Sequence, residues 1–159
     1  MTAGRRLPSF PIQGGCACGA IRYELTSPPI AVYTCHCTDC QTLTAGAFSM
    51  AMPVFRKDFA ITQGEPATWL RTAKSGVVIP QRICATCGVR LFTEPPGGPH
   101  ALTVRPGTLD DTSWLRPVAA FWVASAQPWV SFEPDILQYE AQPTDFGPVM
   151  KAWQAWAAG

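Results

Sequence analysis

The side chains best suited to chemistry in this chain are its seven cysteines, which fall into three groups. Cys35-His36-Cys37-Thr38-Asp39-Cys40 packs three thiols into one short stretch, Cys16-Ala17-Cys18-Gly19 lies upstream and Cys84-Ala85-Thr86-Cys87-Gly88 downstream. Thiolates are soft ligands that suit zinc, which is closed by four protein ligands in structural sites and keeps three plus an open position in catalytic ones. Seven thiols divide into four and three, so the sequence predicts one site of each kind.

Cys84 and Cys87 form C-x-x-C followed by a glycine, a knuckle that offers two sulfurs to one ion; Cys16 and Cys18 form the rarer C-x-C. Two such pairs make a four-cysteine site, although spacing alone leaves open which groups share an ion. For the middle group a fourth ligand is hard to find. His36 lies between two cysteines and would have to bind the same ion as both neighbours, which is poor geometry. His100, in a turn-rich loop, is the other nitrogen that could close the site, and these are the only histidines. Asp39 is better read as a cap for the turn that follows. The favoured reading is Cys35, Cys37 and Cys40 with one position open.

Three thiolates around a zinc dication sum to a net charge of −1, a weak Lewis acid that suits a soft incoming ligand. A thiol bound there is held as thiolate. No H-E-x-x-H or G-x-S-x-G motif supplies the base that hydrolysis would need. The chemistry that follows is delivery of a thiol to an electrophile such as a small aldehyde. Competing readings are a second structural zinc and a redox-active thiol group. Arg71, Lys74 and Arg82 flank the approach to Cys84. They read as a solvated strand face, or as contacts for a carboxylate-bearing ligand.

The elements that must position these groups are short strands. Alternation predicts strands over Ala20–Leu25, Ile30–Thr34, Ala47–Met52 (ended by Pro53), Asp58–Thr62, Thr68–Arg71, Val77–Ile83, Arg90–Thr93, Leu102–Arg105 and Val118–Ser125. Pro80 within one of them implies a sheet edge or bulge, and Pro128–Phe132 reads as an edge strand. Residues 41–45 make a helical turn or loop, and Pro95-Pro96-Gly97-Gly98-Pro99 a stiff loop. Pro148–Ala157 reads as a helix with Val149, Trp153 and Trp156 on one face. The whole is mainly β with a short C-terminal helix. Three segments are expected: a lead-in over 1–13, the cysteine-bearing domain over 14–143 and a helical tail over 144–159.

At 159 residues the chain is long enough for one domain with a real core. Sixteen prolines and thirteen glycines argue against a helical bundle. A net charge of +1 with 14% charged residues gives no reason to expect a nucleic acid or a membrane surface as partner. Arg5 and Arg6 are not followed by an apolar run of signal-peptide type. A cytoplasmic setting, where clustered thiols mean metal more often than disulfide, is the expectation.

C-x-C-G with a following strand, then C-H-C-x-x-C-Q, then C-x-x-C-G-x-x-L-F resembles the glutathione-dependent formaldehyde-activating family, also called the centromere-protein-V family. Gly107–Asp111 and Gln127–Val130 share in the likeness, which covers most of residues 14–143. The resemblance implies an Mss4-like zinc-built β-sheet domain binding up to two zincs. It pairs Cys16, Cys18, Cys84 and Cys87 on a structural zinc and Cys35, Cys37 and Cys40 on a second, catalytic zinc. There glutathione would meet formaldehyde, as in an S-(hydroxymethyl)glutathione synthase, a carbon–sulfur lyase. Many members carry a histidine where this chain has Ala120, which bears on substrate identity. The alternative is a non-catalytic module with two structural zincs that serves a protein partner. The oligomeric state is not legible.

Overall fold

The computed structural model describes residues 7–95 and 98–159. Arg5, Arg6 and the Pro96-Gly97 part of the proline-rich loop lie outside them. Among the described residues are eleven strands: β1 (Ile12–Gly15), β2 (Arg22–Leu25), β3 (Tyr33–Cys35), β4 (Ser49–Phe55), β5 (Phe59–Gln63), β6 (Ala67–Thr72), β7 (Val78–Ile83), β8 (Arg90–Thr93), β9 (Ala101–Val104), β10 (Ala119–Phe121) and β11 (Leu137–Tyr139). Two α-helices join them, α1 (Thr38–Thr44) and α2 (Gly147–Ala158). The protein is therefore mainly β with a short C-terminal helix, as its alternating pattern implies. No helix among the described residues is long and apolar enough to cross a membrane.

A small sheet runs β1-β2-β5, and a large one runs β11-β10-β3-β4-β9-β8-β7-β6. Period-two side-chain alternation gives the large sheet two different faces. On β4 and β9, Met52, Val54, Leu102 and Val104 point into the core with Tyr23 and Leu25 of the small sheet. The intervening Ser49, Ala51 and Thr103 point to the opposite face and, with Arg105 just beyond β9, line a cavity there. Helix α2 closes the core from another side, burying Val149 and Trp153, with Trp156 against Trp153 at 4.8 Å between ring centroids.

Several elements depart from the expected bounds, each for a local reason. Strand β4 continues through Pro53 instead of ending there. The Pro53 carbonyl accepts from Ile30 N–H, so its nitrogen also faces the side where the β3 ladder has already stopped at Ala51 and no partner needs an N–H. Pro80 lies in β7 between β6 and β8 rather than at an edge. Its carbonyl accepts from Glu94 N–H, and the β8 ladder begins only at Gln81. The expected strand Val118–Ser125 stops at Phe121 because Trp122 takes a left-handed conformation at φ 60°, and a 3-10 turn follows. The stretch 128–132 is not a strand. Val130 N–H bonds back to Gln127 O, and Phe132 turns its ring to His36 at 5.1 Å. The sheet edge there is β11, paired in parallel with β10. Ile12–Gly15, expected in part as lead-in, pairs with β2.

Candidate metal centres and thiol cavity

The first and last cysteine groups meet. The sulfurs of Cys16, Cys18, Cys84 and Cys87 all lie within 4.8 Å of one another, with Cys16–Cys18 at 3.6 Å and Cys18–Cys84 at 3.7 Å. Four Zn–S bonds of about 2.3 Å in a tetrahedron put sulfurs about 3.8 Å apart, so the quartet fits such an ion. Two similar turns build it. Cys16 N–H bonds to Ile21 O at 3.1 Å and Cys84 N–H to Val89 O at 2.9 Å. Each loop passes through a glycine at positive φ, Gly19 at 77° and Gly88 at 76°, which only a residue without Cβ adopts cheaply. Backbone amides point at the sulfurs. Ile21 N–H donates to Cys16 Sγ at 3.3 Å, and the N–H groups of Val89 and then Cys18 help pull the Cys87 thiol down to about 6.

The middle group forms its own cluster: the sulfurs of Cys35, Cys37 and Cys40 also lie within 4.8 Å of one another. Cys35 ends β3, Cys37 is the N-cap of α1 and Cys40 lies in its first turn. The Cys37 sulfur accepts from Cys40 N–H at 3.3 Å, so the capping role expected of Asp39 belongs to Cys37. The Asp39 carboxylate instead accepts from Arg71 Nη1 and from Lys74 N–H, both at 3.2 Å. This ties the turn between β6 and β7 to the start of α1. Neither histidine belongs to a sulfur cluster. The buried His36 ring lies on the other side of β3, its Nε2 3.0 Å from Thr34 Oγ1.

The three sulfurs line a cavity of about 580 Å³ on the open face of the large sheet. Its walls include Tyr33, Ser49, Gln81, Trp122 and the cations Arg71, Lys74 and Arg105. Within the cluster a hydrogen bond from Cys35 draws the Cys40 thiol down to about 5, against burial and with help from Ser49, Cys37 and the charge of Arg105. The same bond and burial push Cys35 up, and burial raises Cys37. Burial holds the Tyr33 phenol at about 12. Three sulfurs in mutual reach could hold a metal ion, and the neighbouring cations favour the thiolate forms such an ion needs.

Sequence reasoning missed three contributors. Arg105, just beyond β9, belongs to no motif, and Arg90, at the start of β8, fills an unspecified position of C-x-x-C-G-x-x-L-F. Gln41, noticed only as part of C-H-C-x-x-C-Q, donates to His36 O at 2.8 Å and to Ser125 O at 2.9 Å, pinning α1 to both chain segments that border the thiols. Of the flanking cations, Arg71 and Lys74 line the cavity, whereas Arg82 turns to Thr68 and Glu94.

A β domain with two cysteine clusters, each able to hold a metal ion, is the class these features define. The profile of the family "glutathione-dependent formaldehyde-activating enzyme" matches residues 11–125, and the chain belongs to that family. No curated protein matches the sequence. A crystal structure of a Rhodobacter sphaeroides protein, a structural-genomics target, is similar with a TM-score of 0.49 and 16% identity, over 80% of this chain and 99% of that one.

Proposed function

We propose that the chain is a zinc-dependent enzyme of carbon–sulfur chemistry that joins a glutathione-like thiol to a small aldehyde in the cavity beside Cys35, Cys37 and Cys40. The observation that carries this reading is a three-sulfur cluster that opens on a cavity and has no fourth Cys, His, Asp or Glu ligand among the described residues. Family membership supports the thiol and aldehyde as reactants. Cys16, Cys18, Cys84 and Cys87 would hold a structural zinc.

A zinc on Cys35, Cys37 and Cys40 would lower the pKa of an incoming thiol and keep it as a nucleophilic thiolate. The protein's own groups do the rest. Arg71, Lys74 and Arg105 keep the cavity at positive potential, which favours the anionic nucleophile and the negative charge that develops on the carbonyl oxygen. Overall, sulfur bonds to the carbonyl carbon, the C=O π pair moves to oxygen, and the proton lost by the thiol ends there. Tyr33, kept protonated by burial beside Arg105, Cys35 and Cys40, is a proton donor on the cavity wall.

Zinc stoichiometry per chain, followed by calorimetric titration with glutathione, tests the reading. Close to two zincs together with saturable glutathione binding is the expected result. Two tightly held zincs with no response to any thiol would overturn it and leave a zinc-built scaffold.

A further inference from the structure

We infer that Arg105 and Arg71 form a carboxylate-binding subsite beside the three thiols, so that the cavity takes a thiol carrying a carboxylate in preference to a neutral one. The inference rests on the reading that Cys35, Cys37 and Cys40 leave a position for an incoming thiol.

Arg105 stands just beyond β9, with its side chain in the cavity wall. Among the described residues its one side-chain hydrogen bond is long, Nη1 to Met50 O at 3.4 Å. Its Nε is buried without a partner, and it makes no ion pair among the described residues. The side chain is half-buried, and an anion that meets a guanidinium partly withdrawn from water compensates its charge. Arg71 is half compensated: Asp39 takes its Nη1 while its Nε is also buried and unpaired. Behind them Arg90 donates to Gln81 Oε1 at 3.2 Å and has no acid partner among the described residues.

Charge matching sets the class of ligand. Arg71, Lys74 and Arg105 line the cavity with one acid among them, Asp39, which Arg71 and Lys74 share, so Arg105 is the lining cation with no acid partner among the described residues. A carboxylate on the incoming thiol pairs with it, and a neutral thiol leaves it unpaired. Guanidinium and carboxylate are planar and fit each other through paired N–H···O bonds.

The test is calorimetric titration of the zinc-loaded protein with 3-mercaptopropionate and with 3-mercaptopropionamide, which differ at the carboxylate alone. The acid is expected to bind about tenfold more tightly than the amide. Arg105→Gln should bring the ratio of the two affinities close to one without lowering zinc content, and Arg105→Lys should restore part of it. Equal affinities in the unaltered protein, or a preference that survives in Arg105→Gln, overturns the subsite and leaves the open thiol site standing. Binding of neither thiol overturns both. Should Arg105→Gln fail to hold zinc, Arg105→Lys and Arg71→Gln carry the same comparison: each must reduce the preference for the acid, and an unchanged ratio in both overturns the subsite.

Discussion

The sulfur of Cys18 lies 3.7 Å from that of Cys84, 66 positions further along the chain. Cys18 belongs to the hairpin turn between β1 and β2 of the small sheet, and Cys84 follows β7 of the large one, so a metal in the quartet ties the two sheets together. Its binding energy is then folding energy. Cys84→Ser should lose about one zinc per chain and destabilise by at least about 3 kcal/mol, on the order of 10 °C in melting temperature. Metal analysis and a thermal melt on the same sample check both.

Cys37→Ser should behave differently. Cys37 caps α1 through its sulfur, and serine is among the best capping residues, so the helix keeps its cap while the ligand is lost. The expected variant melts within about 2 °C of the parent, binds one zinc fewer and shows no heat with glutathione. A collapse as large as that of Cys84→Ser would instead assign the middle cluster a structural role.

Asp39 holds the turn between β6 and β7 against α1 through Arg71 and Lys74. Asp39→Ala removes these bonds and a favourable negative charge from the first turn of the helix. We expect about 1 kcal/mol of destabilisation. Trypsin should cleave after Lys74 faster than in the parent, since the turn loses its anchor. Unchanged cleavage would show that strand pairing alone holds the turn.

Arg22 of β2 grips Asp110 with both nitrogens, Nη1 to Oδ1 at 2.9 Å and Nη2 to Oδ2. The hydrogen bond from Arg22 holds the Asp110 carboxyl below its ordinary 3.8. A depressed folded pKa stabilises above the unfolded value and is lost as pH falls through the folded one. The side chain is half exposed, so the contribution is only about 0.5 kcal/mol. Asp110→Asn should lower stability by that amount at pH 7. The difference from the parent should shrink below about pH 4 and vanish near pH 2 in urea melts across pH.

Much of the site was legible because ligand chemistry is local. C-x-C, C-H-C-x-x-C and C-x-x-C announce their turns by glycine and spacing, and the lack of an evident fourth ligand for the middle group agrees with the open cluster. Which group met which was not legible from spacing, because it depends on how the two sheets pack; it came from the family likeness. Arg105 and Arg90 were invisible for a related reason. An arginine in or beside a half-buried strand reads as a surface residue until the sheet gives that face a cavity. The proline boundaries failed because a strand tolerates proline where the ladder on its nitrogen side has already ended, and register is not written in composition. The break at Trp122 had no glycine or proline to signal it.

Strand β3 carries its chemistry in strict alternation. Tyr33 and Cys35 face the cavity, while Thr34 and His36 face a smaller apolar recess that also contains Phe48 and Phe132. Sliding this strand by one residue would exchange a sulfur for an imidazole and bring a buried ring into the thiol chamber. His36 therefore works as a detent. Seated between Phe48 and Phe132 and bonded to Thr34, it locks the phase of the strand, and with it the aim of Cys35 on the opposite face. A residue that touches neither sulfur nor cavity thus sets the tolerance to which the reactive end of the molecule is assembled.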